Sequence, residues 1–545
     1  MFSRVISAAV YGIDAYIVNV ETDVGFGLPT FDMSGALGSK VREAKDRVRV
    51  AIKNSGIELT PQKIVINISP ANIRKEGTIY DLPIAIGILA ANGCFDLKIL
   101  ENVLIIGEVS LDGSINPVKG VLPMVCAAKE AGIDNCIIPK ANIAEGRIMN
   151  NINIYGVETL SQTIEILKNI AVIDGSRKNI KQADVKSGEC NKSDGNINND
   201  TYNVLERSRV KFTYGSEVKN NNHSCSYNID YSDISGQEAA KRATMIAVSG
   251  MHNIMYIGPP GSGKTMLAQR IPTIMPDMDY EEQLRLTKIY SVAGLLDSEG
   301  GIMVKRPFRN PHHTITQAAL LGAVPRPGEI TLSEGGVLFL DEMTEFNQVI
   351  MEALRQPLED KVITLVRVNA AYTYPAHFML AAAINPCKCG YYPDRNRCHC
   401  SEYDIRRYIG RISNPMWDRF DMCVKVDEVS YEVMRNKGNV DTIYNSTDMK
   451  NKVEAARQMQ KDRFKKLDIN YNSQMGVREI HKYCTLNVEC NELMERMYKQ
   501  HNMSARAYNK VLKTARTIAD LKGSVNIEKE HLTEALFYKN CEVKS

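Results

Sequence analysis

A chain of 545 residues is too long for one hydrophobic core and predicts two or three domains. Hydrophobic residues at 44% and charged residues at 24% are ordinary globular values, and a net charge of +3 is close to neutral for this length. Composition therefore neither demands nor excludes a nucleic-acid partner, and any basic surface must be local. The N-terminal segment is too interrupted by Asp and Glu for a signal peptide, and no run of about 18 apolar residues predicts a membrane span. The thirteen cysteines, an odd number without an export signal, read as reduced thiols of a cytoplasmic protein.

Residues 1–168 alternate strand-like and helix-like runs, such as Lys63 to Ile68, Leu82 to Ala91 and Val103 to Ile106. The apolar period switches between two and about 3.6, which predicts an α/β or α+β domain. Residues 169–231 turn rich in Asn, Lys, Ser, Asp and Gly without apolar periodicity and read as a flexible linker. A second α/β block spans 232–426. Residues 427–545 place apolar residues at helical spacing (Leu493, Met497; Val511, Leu512, Ala515, Ile518, Ala519) and read as all-helical.

The second block carries the strongest chemical signal. A short apolar run, Asn253 to Ile257, leads into Gly258, Pro259, Pro260, Gly261, Ser262, Gly263, Lys264 and Thr265, then a helical run. This is the G-x-x-x-x-G-K-[ST] phosphate loop in its strand–loop–helix setting. Its glycines let successive backbone N–H groups face phosphate oxygens. Lys264 is placed to meet the β- and γ-phosphates of ATP, and Thr265 to ligate Mg²⁺. Val337 to Leu340 reads as a buried strand delivering Asp341, a second Mg²⁺ group, and Glu342, which would polarise the attacking water. A third apolar run, Phe378 to Ile384, ends in Asn385, placed either to orient that water or simply to cap a turn.

These motifs, with Gly236-Gln237-Glu238, Arg306-Pro307-Phe308-Arg309-Asn310-Pro311-His312-His313, Gly328-Glu329-Ile330, Leu354 to Asp360 and Asn385-Pro386-Cys387, resemble the Mg-chelatase-type AAA+ module. With the N-terminal block included, nearly the whole chain resembles the ComM/YifB family. That resemblance implies a hexameric ATPase acting on DNA, single-stranded or branched, as a branch-migrating helicase in recombination and transformation. The fold it implies is an α/β AAA+ P-loop domain with a helical lid, preceded by a degenerate Lon-protease-like α/β domain. It also makes Asn385 a sensor 1 residue, Arg419 in Pro415 to Asp421 a charge stabiliser supplied to a neighbouring subunit, and Arg506 a sensor 2 residue of the lid. The sequence departs from the family pattern at Lys388 and Trp417, away from the ATP chemistry.

The Lon-like resemblance argues against proteolysis. Ile79 stands where the nucleophilic serine belongs and Leu122 where the base lysine belongs, leaving only Thr78 and Lys119 nearby as a shifted pair. Two C-x-C pairs, Cys387/Cys389 and Cys398/Cys400, flank a turn that would let four thiolates share Zn²⁺, with His399 as an alternative ligand; reduced thiols on a loop are the other reading. Lys361 to Val368 reads as one arm of a β-hairpin, with Arg367 as a candidate phosphate contact, and Arg309, His312 and His313 lie on an inserted loop. Against a DNA motor stand three alternatives: a magnesium-chelatase subunit, an ATP-dependent protease, and a remodelling factor that uses ATP binding as a switch. ATP is the only small-molecule substrate expected, and no membrane partner is expected.

Overall fold

The computed structural model describes residues 1–170, 227–296, 301–367, 370–431 and 444–540. Most of the expected linker therefore lies outside the described residues. Among the described residues no helix is long and apolar enough to cross a membrane.

The N-terminal part is built on a seven-stranded mixed sheet. Its order is Phe31–Ser34, Lys63–Ser69, Asp14–Gly25, Phe2–Tyr11, Val103–Ile105, Asn135–Pro139, Asn153–Val157. The long hairpin of Phe2–Tyr11 and Asp14–Gly25 is antiparallel with an unbroken register, from Phe2 opposite Asp23 to Tyr11 opposite Asp14. Helix Asp81–Ala91 is buried along its whole length, which explains why it reads as a continuous apolar run rather than an amphipathic stripe.

The second part holds a five-stranded sheet in the order Phe308–Arg309, Val337–Leu340, Met379–Ile384, Ile254–Ile257, Met422–Lys425, with every neighbouring pair parallel. Its three middle strands are buried at every residue, as expected for a parallel sheet covered on both faces. Side-chain alternation assigns the faces. Ile254, Tyr256, Val337, Phe339, Met379, Ala381 and Ala383 share a cluster with helix Glu238–Gly250 and with C-terminal residues such as Val453, Val511 and Ile518. Met255, Ile257, Leu338, Leu340, Leu380, Ala382 and Ile384 pack instead with Ile350, Leu354, Ile412 and Met416. The C-terminal helices (Ser446–Phe464, Val477–Tyr483, Val488–Gln500, Ala505–Leu521, Lys529–Asn540) thus complete a core begun by the sheet.

A polar latch joins the two at Asp421. Its carboxylate accepts from the Asn253 backbone N–H at 2.9 Å, pairs with Lys510 of helix Ala505–Leu521 at 3.1 Å, and faces His252 at 3.7 Å. Lys510, the His252 ring and the Asn253 amide together hold this carboxyl far below the usual carboxylate range against its burial. A depressed folded pKa stabilises above the unfolded value near 3.9, so the latch persists through neutral pH and is lost only in strong acid. Asp421→Ala would leave Lys510 without its counter-ion and cost on the order of 3 kcal/mol. The expected result is a lowered urea midpoint for the C-terminal helices by circular dichroism; an unshifted midpoint would remove the latch.

Candidate nucleotide site

The three middle strands end side by side, and each delivers part of one constellation. After Ile257 the chain turns through a loop that only certain residues can make. Gly261 and Gly263 take φ of +77° and +89°, and a Cβ at either would point into open space, so their glycines serve backbone conformation. Gly258 is different: a side chain there would strike the Val426 carbonyl, which fixes the loop's closest approach to the neighbouring strand end.

Lys264, only 8% exposed, donates to the carbonyls of Gly258 at 2.8 Å and Pro259 at 2.7 Å and to Asn385 Oδ1 at 3.2 Å. Burial drives its pKa down to about 8, against the opposing pull of Asp341 and Glu342. Thr265 Oγ1 donates to Asp341 Oδ2 at 2.7 Å. Adjacent ligands of an octahedral Mg²⁺ stand roughly 3 Å apart, so this pair fits two such positions. Ser262 Oγ is buried with no hydrogen-bond partner, an unsatisfied donor in the loop itself. Open space over the glycines, an orphan hydroxyl and an ammonium resting on its own loop suit a phosphate group.

Glu342 is exposed and adopts φ +49°, a left-handed conformation that costs a non-glycine residue about 1 kcal/mol or more. Its backbone N–H donates to Asp341 Oδ1 at 3.0 Å, and a short 3₁₀ turn follows at Met343–Glu345.

The two arginines lie elsewhere. Arg419 Nη2 pairs with Glu359 at 2.6 Å and Arg506 Nη2 meets the same carboxylate oxygen at 3.6 Å. Arg419 is 10% exposed, with its Nε buried and unpartnered, whereas Arg506 is 66% exposed. Sequence reasoning placed Glu359 inside a family run without giving it a role. It likewise quoted Gln237 in a family run without a role; its amide donates to the Ser262 carbonyl at 3.3 Å and to the Asp427 carbonyl, tying the phosphate loop to the exit of the last sheet strand. Its signal was a φ of +61°, invisible in sequence.

Other expected site residues fall as follows. Cys387, Cys389, Cys398 and Cys400 bring their sulfurs within 4.8 Å of one another, while His399 is exposed and outside the group. Arg309 is clamped by Glu329 at 2.6 and 2.7 Å, and the His312 and His313 rings lie 4.1 Å apart, tilted by 33°. The hairpin forms from Val362–Arg367 and Ala370–Pro375, and the Arg367 side chain lies outside the described set. In the N-terminal part Ile79 packs among apolar side chains and Leu122 is fully buried. Thr78 donates to Glu108, whereas Lys119 Nζ donates to the Ala293 carbonyl at 3.4 Å across the domain boundary, so the two have separate partners.

Residues 230–434 match the family described as magnesium chelatase, subunit ChlI; residues 20–142 and 444–539 match further ChlI descriptions, the latter its C-terminal part. The chain is 35% identical to competence protein ComM of Haemophilus influenzae over 98% of this chain and 97% of that protein. It is 36% identical to the uncharacterized protein YifB of Escherichia coli over 98% and 97%. An archaeal Lon protease of Thermococcus kodakarensis is 31% identical over 27% of this chain and 23% of its own length.

A phosphate held by Lys264 would need its side chain charged, and above pH 8 the free side chain is largely neutral. ATP binding should therefore take up about one proton at pH 9 and weaken by up to about tenfold per pH unit above 8. Calorimetry in two buffers of different ionisation enthalpy measures this directly; binding at pH 9 without proton uptake would contradict the depressed lysine.

Proposed function

The chain belongs to the ComM/YifB family of magnesium-chelatase-like AAA+ proteins, and we propose that it is an ATP-hydrolysing ring motor, hexameric, that drives DNA strands through branch migration. What carries the ATPase reading is a set of two hydrogen-bonded pairs, Lys264 with Asn385 and Thr265 with Asp341, brought together at three adjacent strand ends. ATP and Mg²⁺ are its cofactors, and Zn²⁺ on the four clustered cysteines completes the set. The metal would sit on Thr265 and Asp341 and neutralise phosphate charge. Lys264 would exchange its loop carbonyls for phosphate oxygens, and Ser262 would find an acceptor there. Glu342, held in its left-handed turn, orients the attacking water, with Asn385 fixing the water's other side.

Arg419 supplies positive charge to the site of an adjacent subunit, and Arg506 serves as the sensor 2 arginine of the lid. In the isolated chain both rest on Glu359, which spares a mostly buried guanidinium from standing unpaired. The N-terminal domain acts without proteolysis, since Ile79 and Leu122 offer neither nucleophile nor base. The family's chelatase members favour a second reading, a metal-inserting ATPase subunit. Branched DNA separates them: it should raise ATP turnover several-fold in the motor reading and leave the chelatase-type subunit unchanged.

Lys264→Ala should abolish tight ATP binding, while Glu342→Gln should bind ATP and lose turnover by about 100-fold or more. Wild-type turnover in the Glu342→Gln protein would reject that assignment. Arg419→Ala should bind nucleotide and fail to hydrolyse it. Mixing Arg419→Ala with Lys264→Ala chains should then restore part of the activity, and mixed rings without recovery would rule out a role across subunits.

A further inference from the structure

Cys387 Sγ stands 3.3 Å from Cys389 Sγ and 3.7 Å from Cys398 Sγ, and all four sulfurs fit within 4.8 Å. Four thiolates around one Zn²⁺ at about 2.3 Å place their sulfurs roughly 3.8 Å apart. A disulfide would need about 2 Å, and the cysteines are free. Backbone bonds shape the loop around that point: Gly390 N–H to the Cys387 carbonyl at 3.0 Å and Cys398 N–H to the Asp394 carbonyl at 2.8 Å. The loop's own core is small, with Cys387, Cys398, Ile405, Tyr408 and Ile409 its buried members. So few apolar side chains give a loop little stability, which is where a metal contributes most.

The position of this loop is what gives it consequence. It leaves the sheet at Asn385, whose side chain holds Lys264, and reaches Cys387 two residues later. At its tip Gly390 has φ +89° and lies against Pro260 of the phosphate loop so closely that a Cβ would overlap the proline ring. After Cys400 the chain enters helix Glu402–Ile409, begun by a Ser401 cap. There Tyr408 accepts a hydrogen bond from the buried Thr344 hydroxyl at 2.7 Å, two residues beyond Glu342. Arg411, just past the helix, pairs with Glu345 at 2.8 Å.

We propose that Cys387, Cys389, Cys398 and Cys400 hold one Zn²⁺ and that the resulting knuckle braces the nucleotide site, through Gly390 on the phosphate loop and Tyr408 on the carboxylate turn. The brace rests on the nucleotide-site and zinc readings above, and the metal site stands on the cysteine geometry by itself. Tyr408 and Gly390 are positioning residues: they set Pro260 and the Thr344 turn, which in turn set Lys264 and Glu342.

The test uses the full chain purified without chelators. Metal analysis should find about one zinc per chain, and cobalt substitution should give the absorption of a tetrahedral thiolate site. Cys398→Ser should lose both signals. A zinc-selective chelator in excess Mg²⁺ should weaken binding of a fluorescent ATP analogue, and added Zn²⁺ should restore it. Gly390→Val should keep zinc yet bind the analogue about tenfold more weakly, and Tyr408→Phe should keep zinc and analogue affinity while turnover falls about tenfold. Absence of zinc and of the cobalt bands overturns the metal site. Zinc without any change of nucleotide affinity or turnover in the depleted protein, Gly390→Val and Tyr408→Phe overturns the brace. A wild-type protein that holds zinc but binds no ATP would overturn the nucleotide reading instead, and the brace with it.

Discussion

Lys264 carries its ammonium into a cleft where water is largely excluded, and much of the surrounding architecture answers that cost. Two loop carbonyls and Asn385 solvate it directly, and Asp341 and Glu342 offset the desolvation electrostatically. The partners come from three different strands, so the lysine is satisfied only if those strands end in register. The register follows from full burial: a parallel sheet covered on both faces permits no slip without moving a large apolar side chain into the wrong cluster. An apolar requirement spread over a dozen residues thereby positions a single charge.

Glu359 plays a comparable part away from the phosphate loop. Two arginines from separate segments, one before the last sheet strand and one in the C-terminal helices, share its carboxylate. They differ in burial, and the difference matters for energetics. The pair with Arg419 is the costly one to break, because that guanidinium is mostly enclosed, whereas the exposed Arg506 contact contributes little on its own. Asp421 and the shared apolar cluster both hold the C-terminal helices to the sheet, with the Glu359–Arg506 contact as a weak addition.

The elements legible in the sequence were those whose signal is local. Val337–Leu340 and Met379–Ile384 announce themselves as short apolar runs, and the phosphate loop is a contiguous motif. Four cysteines within fourteen residues were equally readable, since chain length alone limits how far apart they can be. Unreadable were contacts between distant segments: Glu359 with Arg419 and Arg506, Gly390 against Pro260, Tyr408 with Thr344. Nothing in the composition of Leu354 to Asp360 separates a carboxylate that gathers two arginines from one that faces solvent. Likewise the glycine of a C-G-Y-Y turn reads as turn chemistry, although its smallness is needed by a loop about 130 residues earlier.

The hairpin Val362–Arg367 and Ala370–Pro375 shows how such distant contacts combine. A two-stranded hairpin is at best marginal in water by itself, because it has no face to bury. Here its base is set by helix Arg355–Asp360, which carries Glu359 and turns at Lys361 with φ +57°. Ile363 and Tyr374 at that base are buried in the sheet's second cluster. Farther out, the Tyr372 ring meets Tyr11 of the N-terminal domain at 4.6 Å, and the Tyr11 hydroxyl donates to the Ala371 carbonyl. Beside it Lys288 pairs with Asp14 at 2.9 Å, and Ser291 with the buried Glu145, so the N-terminal domain grips both the hairpin and helix Tyr280–Ala293. The hairpin is thus held by three segments at once, the helix and the sheet's cluster at its base and the N-terminal domain farther out.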